Sequence, residues 1–504
     1  MKFLSTIKNL KILEALNFYK FKMDKKEKNE LGITSEKDEF SEWFTQLIIK
    51  ADLADYSAVS GCLVYKPSSY AIWEKTQTII DKEFKKLGIK NCYFPLLIPE
   101  KLLTKEREHI EGFSPEVAWV TQTGDTKLSE KLAIRPTSEA IMYDSYSRWI
   151  RSWRDLPLKL NQWNNVIRWE FKNPVPFLRG REFLWNEGHH VYDDEKELNS
   201  DRDKILFIYS DFMKKYMALP GLIGRKTEKE KFAGAKATYT IEVIMPNGRA
   251  TQGPDFHDDA QNFAKAYNIK YLDEDGKEKY PYQATYAIST RMLGVMFAVH
   301  SDNKGLILPP KIASNQIVII PILFEDSKGQ ILREAEKISE ELKDYDAFVD
   351  LRDNYKPGFK FNEWELKGIP LRIEIGPKDI EKKQVVVVRR DNLKKEIIKI
   401  KDLKKETPKI LEDIQNCLYN KAEKLMEESI VKAESKGDLL NAIKNKKIAF
   451  APLCSSRKCE DQVKSETNGA KTLNIPFSQQ NLKNKKCIIC GKPAEYHVYI
   501  GKSY

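Results

Sequence analysis

The 504-residue chain holds no long apolar run, and nothing in it approaches the roughly 20 consecutive apolar residues of a membrane-crossing helix. It does not read as a helical membrane protein. No internal repeat recurs, so a solenoid or propeller is excluded. Histidine is scarce, at six residues, which leaves few candidates for imidazole chemistry. Cysteine numbers seven, an odd count without a secretory signal. That usage argues against a disulfide scaffold and for thiols or metal binding in a reducing compartment.

What is present bounds the rest. A chain this long exceeds one hydrophobic core and implies about three domains. Its 41% hydrophobic content is ordinary for a globular protein. The net charge of +11 suits a polyanionic partner such as a nucleic acid, and it equally suits a Lys-rich solvated surface. Charge alone does not separate the two.

Met1 to Met23 is Lys-rich and nearly free of acid, with Ile7, Leu10, Leu13, Leu16 and Phe18 at roughly helical spacing. Two readings stay open: a targeting peptide over residues 1–22, or translation from an upstream start, Met23 being the natural one. A cytoplasmic location is the expectation. Residues 1–30 are read as an N-terminal extension compatible with disorder.

The densest chemistry lies between residues 165 and 189. The pattern predicts a strand from Asn165 to Phe171, a proline-containing turn, and a second strand from Glu182 to Trp185. Side chains alternate along a strand, so Arg168 and Glu170 are expected on one face, and Phe183, Trp185 and Glu187 on one face. A hairpin showing a cation, an aromatic ring and carboxylates together suits a nucleotide: arginine forks onto phosphate, and the ring stacks on a purine.

Arg168-x-Glu170 followed by Arg179-x-x-x-Phe183 resembles motif 2 of the class II aminoacyl-tRNA synthetases. The segments Ala133–Glu139, Leu160–Trp163, Phe183–His189 and Lys229–Gly234 resemble, more narrowly, the prolyl-tRNA synthetase family. The likeness runs from about Asp38 to Tyr504. It implies an antiparallel-sheet catalytic core over residues 31–312, an α/β anticodon-binding domain over 313–405, and a zinc-binding α/β module over 406–504, an α+β and α/β multidomain fold. The implied reaction joins proline and ATP into prolyl-adenylate, then transfers proline to tRNA(Pro).

The resemblance also implies roles. Arg168 would hold the proline carboxylate and the α-phosphate. Glu170 would read the adenine amino group, Phe183 would stack on adenine, and Arg179 would hold the outer phosphates. Ser289-Thr290-Arg291 resembles motif 3, and Arg291 would sandwich the adenine. Mg²⁺ would accompany the phosphates. Thr137 and Glu139, expected on one strand face, would take the imino nitrogen of proline. Phe183, Trp185 and His189 would wall its ring, Glu187 would belong to the same proline site, and His257 would close the pocket near the reacting carboxylate. Around Gln252 and His257 the chain departs from the family pattern. Asp255 and Phe256 stand where small hydroxyl residues are usual, which puts the ATP-ribose contact in question; Asp255→Thr is expected to keep activity. A helix from Tyr70 to Leu87 ending at Gly88, then a strand from Asn91 to Pro95, resembles motif 1 and implies a homodimer.

Downstream, apolar runs at Gln316–Ile322, Ala347–Leu351, Ile369–Ile375 and Gln384–Arg389, with a charged helix from about Gln330 to Lys343, predict an α/β layer with a partly parallel sheet. Helix is expected from about Asp402 through Lys436. Arg352, Lys356 and Lys360 are candidate anticodon contacts. Cys454-x4-Cys459 and Cys487-x2-Cys490 form two close thiol pairs, which suits a closed, structural Zn²⁺ site. Cys62, Cys92 and Cys417 read as buried singletons. The terminal Tyr504 is expected to reach back toward the active site. About a hundred residues separate Glu187 from Ser289 and read as core elements, leaving no room for an inserted editing domain.

Two other functions compete with this reading: a tRNA-binding paralogue without catalysis, and a class II synthetase for another amino acid such as threonine. The intact arginines disfavour the first. Glu139, the Trp185 and His189 walls and the all-cysteine terminal module disfavour the second.

Overall fold

The computed structural model describes residues 32–109, 116–170 and 173–504. The N-terminal segment with its two readings lies outside them, as does Phe171. No helix among the described residues is long and apolar enough to cross a membrane.

An eight-stranded sheet organises the first half of the chain. Its order is Ile475–Pro476, Leu222–Arg225, Ala237–Ile244, Ala250–Ala260, Tyr282–Ser289, Glu182–Tyr192, Leu158–Ile167, Lys90–Asn91. Every neighbouring pair is antiparallel except the last, which is parallel. Helices Phe40–Lys50, Pro67–Lys86, Glu195–Lys215 and Arg291–His300 contribute to one core with this sheet, centred on Trp43, Trp73, Phe84, Tyr209, Tyr286 and Phe297. Pro67 opens its helix at the first turn, where the missing N–H costs nothing, and Gly88 follows the C-terminus at φ +76°, as a helix stop requires.

A second core, around Tyr143, Tyr146, Phe263 and Tyr267, packs helix Glu139–Trp149 beside the sheet. A five-stranded sheet follows: Phe348–Val349, Ile317–Pro321 and Leu371–Ile375 run parallel, then Gln384–Arg389 and Lys395–Lys399 antiparallel. Both central strands are buried on both faces, which explains the continuous Ile-Val-Ile-Ile run of Ile317–Pro321, while Leu371–Ile375 buries Arg372 against Glu374 at 3.0 Å. The last sheet orders Ile430–Lys432, Ile448–Leu453, Tyr496–Gly501 and Lys471–Thr472.

Three local expectations are corrected. The strand expected over Asn165–Phe171 ends at Ile167, and Glu170 lies in an exposed turn, so Arg168 and Glu170 do not share a strand face. The strand expected at Asn91–Pro95 shrinks to Lys90–Asn91. The helix expected through Lys436 stops at Ser429, where Ile430–Lys432 pairs in parallel with Ile448–Leu453; tertiary pairing overrides the helical pattern.

Candidate active site

Residues Phe183, Trp185, Glu187 and His189 recur at every second position of strand Glu182–Tyr192. Strand alternation puts them on one face. Register places Asn164 opposite Trp185 and Gln162 opposite Glu187. Both pairings become hydrogen bonds. Asn164 donates to Glu187 Oε1 at 2.6 Å and accepts from Trp185 Nε1 at 2.7 Å; Gln162 donates to Glu187 Oε1 at 2.8 Å.

Glu187 is fully buried yet built to stay ionised. The backbone N–H of Ser138 donates to Oε2 at 3.0 Å, the Ser138 hydroxyl donates to Oε1, and His189 Nε2 stands 3.2 Å from Oε2. Burial pushes the carboxyl pKa up, but these donors outweigh it and hold it at about 2. Glu139 is buried beside it and accepts from the Thr137 hydroxyl. The ligand atoms of Glu139, Glu187 and His189 all lie within 4.8 Å of one another. Thr137 and Glu139 do come together, though not on a strand: Thr137 lies in the turn before helix Glu139–Trp149, and Glu139 is its first residue. The turn arises because Arg135 is buried and donates to the carbonyls of Phe94 and Asn165, pinning the chain just before it.

These groups line a cavity of about 260 Å³ together with Arg168, Trp185, Gln252, Asp255 and His257. The Arg168 guanidinium lies 5.1 Å from the ring centre of Trp185 and 5.5 Å from that of Phe183, and its Nε donates to the Pro136 carbonyl at 3.0 Å. Phe183 and Trp185 meet edge to face at 5.6 Å. His257 accepts or donates at Nδ1 with the Thr238 hydroxyl at 2.9 Å, and burial lowers its pKa against the pull of Asp255 and Glu139.

The departure at Asp255-Phe256 has a physical explanation. Phe256 is fully buried, parallel to Tyr286 at 6.2 Å, on the face away from the cavity. Asp255 faces the cavity and accepts from Gln252 Nε2 at 2.9 Å. Its neighbour Arg291 begins helix Arg291–His300 directly after strand Tyr282–Ser289, as expected, and donates to the carbonyls of Leu178 and Gln252 at 3.0 and 3.4 Å. Burial lowers the Arg291 pKa, with Arg168 adding to the effect and Asp255 opposing it.

Not every candidate meets the cavity. Glu170 and Arg179 are exposed on the turn and loop between the two strands, Ser289 ends its strand opposite Trp185, and Phe183 and Arg291 stand outside the cavity lining. Among the lining residues that the sequence did not reveal are Glu230, Phe232, Thr238 and Thr285. The first two sat in a recognised segment; the last two carry no local signal, because only strand pairing brings them in. In the second domain Arg352 is engaged by Asp350 and Glu363, each at 2.7 Å. Lys360 is buried, and its ammonium donates to the Asp350 carbonyl at 2.9 Å. Lys360 therefore braces the loop from inside and is not presented to a partner; Lys356 is exposed. Tyr504 is docked, not frayed: its hydroxyl accepts from Asn247 at 2.7 Å and its N–H donates to Ala250.

At the far end, the Sγ atoms of Cys454, Cys459, Cys487 and Cys490 all lie within 4.8 Å of one another. Cys454 is 3.5 Å from Cys459 and 3.7 Å from Cys490. Disulfides are about 2.05 Å long, whereas tetrahedral Zn–S bonds of about 2.3 Å place sulfurs about 3.8 Å apart. The four thiols fit such an ion. Cys62 is buried as expected, while Cys92 and Cys417 are half-buried.

Residues 119–300 match the family described as tRNA synthetase class II core domain (G, H, P, S and T), residues 316–410 the anticodon binding domain, and residues 437–504 the prolyl-tRNA synthetase C-terminal family. The chain is 47% identical over 485 residues to a proline–tRNA ligase of Alkaliphilus oremlandii, covering 96% of this chain and 100% of that protein. It is 45% identical to the cytoplasmic proline–tRNA ligase of Arabidopsis thaliana, covering 96% and 93%. The fold superposes on prolyl-tRNA synthetase from Cryptosporidium parvum complexed with L-proline and AMP at a TM-score of 0.90, with 41% identity, covering 95% of this chain and 98% of that one. The same enzyme complexed with halofuginone and AMPPNP also gives 0.90, at 42% identity and the same coverage. With a cavity that pairs Glu139 and Glu187 against Arg168, and with this likeness along nearly its whole length, the chain belongs to the prolyl-tRNA synthetase family.

Proposed function

We propose that this enzyme activates L-proline with ATP and transfers it to the terminal ribose of tRNA(Pro). The observation that carries the reading is one small cavity with a carboxylate pole, Glu139 and Glu187, and a cationic wall, Arg168. A free amino acid has the complementary polarity: a cationic nitrogen and an anionic carboxylate. The cavity's size suits a five-membered ring, and Trp185 and His189 supply flat walls for it.

In the first step a proline carboxylate oxygen bonds to the α-phosphorus of ATP, the bond to the bridging oxygen breaks, and pyrophosphate leaves. Both reactants are anionic, so charge must be offset in the transition state. Arg168 does this while orienting the carboxylate, and orientation itself lowers the barrier. Arg291 adds positive charge from the start of its helix. Phe183, stacked near Arg168, is assigned to the adenine ring; Glu170, Arg179, Gln252 and Ser289 are assigned to the nucleotide's amino group, outer phosphates and ribose. ATP acts as its Mg²⁺ complex, the ion keeping most of its ligands from phosphate and water. Glu139, through Thr137, and Glu187, through His189, hold the imino nitrogen, and His257 closes the pocket. In the second step a ribose hydroxyl attacks the acyl carbon and AMP leaves.

Zn²⁺ held by the four cysteines would be structural, because four thiolates leave no place for water. Exposed Tyr70, Tyr93 and Leu97 on helix Pro67–Lys86 and the segment after it support a homodimer through that face. Anticodon contacts are assigned to Arg352 and Lys356, and tRNA(Pro) is the macromolecular partner. A cytoplasmic location accords with thiols grouped for metal and not for disulfides. Charging assays of tRNA with each amino acid test the reading: proline alone should be efficiently attached. Equal charging with threonine, or none with proline, would overturn it.

A further inference from the structure

One wall of the cavity is the loop joining strands Leu222–Arg225 and Ala237–Ile244. Its residues Glu230 and Phe232 line the cavity, and the Phe232 ring lies 4.6 Å from that of His257. The loop consists of turns with no strand or helix of its own. A segment held only at its ends samples many positions, and binding must then pay for its ordering.

This loop is held from outside its own domain. Thr227 donates its hydroxyl to Glu460 Oε2 at 2.8 Å, and Thr472 donates to the same oxygen at 2.6 Å; all three residues are buried. Lys229 pairs with Asp461 at 2.6 Å, and Glu230 with Lys471 at 3.1 Å. Glu460 directly follows Cys459 in helix Arg457–Glu466. Strand Ile475–Pro476 pairs with Leu222–Arg225 just before the loop, so close that a Cβ on Gly224 would stand 2.3 Å from the Ile475 carbonyl oxygen. The terminal module thus grips the loop at its root and along its length.

The geometry points to Glu460 as a positioning residue for proline: it ties the Thr227–Gly234 wall of the pocket to the four-cysteine module, so that order in that module is felt at the substrate. The inference rests on the proline-activating reading of the cavity. Glu460 touches no reacting atom. It acts by presenting one buried oxygen to two hydroxyls on an element whose start is fixed by Cys454 and Cys459. Without it the Thr227 hydroxyl keeps only that of Thr472, 3.2 Å away, and Glu230 and Phe232 lose a fixed height over the pocket.

The test compares wild type, Glu460→Ala and Glu460→Gln by proline-dependent pyrophosphate exchange and by hydrogen–deuterium exchange over residues 226–236, with zinc content measured in each. Glu460→Ala should raise the KM for proline about tenfold, the scale of one lost buried hydrogen bond, and leave the KM for ATP within about twofold. Its loop amides should exchange faster while zinc content matches wild type. Glu460→Gln keeps an accepting oxygen and should stay near wild type on both readouts. If Glu460→Ala does not fold, Thr227→Val should show the same proline-selective shift. Unchanged loop exchange with an unchanged KM for proline, or equal rises in both KM values, overturns the inference. Wild type without exchange activity would instead sink the functional reading, and the deuterium comparison would still decide whether Glu460 orders the loop.

Discussion

Gly188 lies directly across from Tyr286 in the central sheet, and a Cβ at Gly188 would stand 1.9 Å from the Tyr286 Cζ. The glycine lets the tyrosine ring cross over its backbone and bond its hydroxyl to His190 Nε2 at 2.8 Å. His190 Nδ1 continues to the Tyr192 hydroxyl at 2.7 Å, which donates to Asp201 at 3.1 Å. Gly188 sits between Glu187 and His189, so this buried chain fixes the strand at the point where the pocket residues leave it. Gly188→Ala forces the ring aside and should cost about 3 kcal/mol, the upper range for overpacking. Thermal unfolding should show a midpoint lower by about 5 °C or more, and exchange activity should fall with it.

Glu187 accepts from two amides, and Glu187→Gln would set an amide against amides. The substitution removes the pocket's ionised carboxylate and disrupts the bonds from Gln162 and Asn164. The KM for proline should rise by about tenfold to a hundredfold, the scale of one charged hydrogen bond, with a smaller change in the KM for ATP. Steady-state exchange kinetics at varied proline and varied ATP separate the two.

Arg168→Lys keeps the charge but loses the planar fork and the stacking beneath it. The exchange kcat should fall by about 10²-fold to 10³-fold, the scale of one transition-state donor, with the fold intact by circular dichroism.

His300 gives a pH dependence away from the site. It is buried with Nε2 2.8 Å from the Met217 carbonyl, and burial lowers its pKa to about 4 from the ordinary 6.5. The unfolded chain therefore binds a proton that the folded chain refuses between those values. The contribution is complete above pH 6.5 and falls away as pH drops to 4, reaching up to about 3 kcal/mol. Denaturant midpoints should decline as pH falls from 6.5 to 4, and His300→Gln should flatten that decline.

A pocket that fits proline discriminates against smaller alanine only by lost contact, about 1–3 kcal/mol per methylene. Between Glu187 and Ser289 the described chain is spent on the core strands and on helices Glu195–Lys215 and Asn262–Tyr267. Alanine should therefore support slow pyrophosphate exchange, and alanyl-tRNA(Pro) should persist with the purified enzyme. Rapid enzyme-dependent hydrolysis of that product would contradict the expectation.

Strand residues of the site were legible because alternation is local: Phe183, Trp185, Glu187 and His189 needed only their spacing. The Arg291 helix start was legible because a strand-ending segment leads straight into it. The turn at Thr137 was not legible, since buried Arg135, whose partners lie up to 41 residues away, sets it. Lys360 read as part of a basic loop, and only the fold shows its buried ammonium spent on Asp350. The Ile430 strand was hidden inside a helical pattern because its stabilising partner, Ile448–Leu453, follows later in the chain. The grip of the terminal module on the pocket loop joins residues more than 200 positions apart, and no local pattern encodes it.

Proline-dependent exchange of labelled pyrophosphate into ATP, with purified protein and Mg²⁺ and without tRNA, tests most directly whether Arg168 and the Glu139–Glu187 pole orient an imino acid against the α-phosphate. Label should enter ATP with L-proline, more slowly with alanine, and not with threonine. A folded protein that leaves ATP unlabelled with proline, or labels it equally with threonine, would contradict that chemistry.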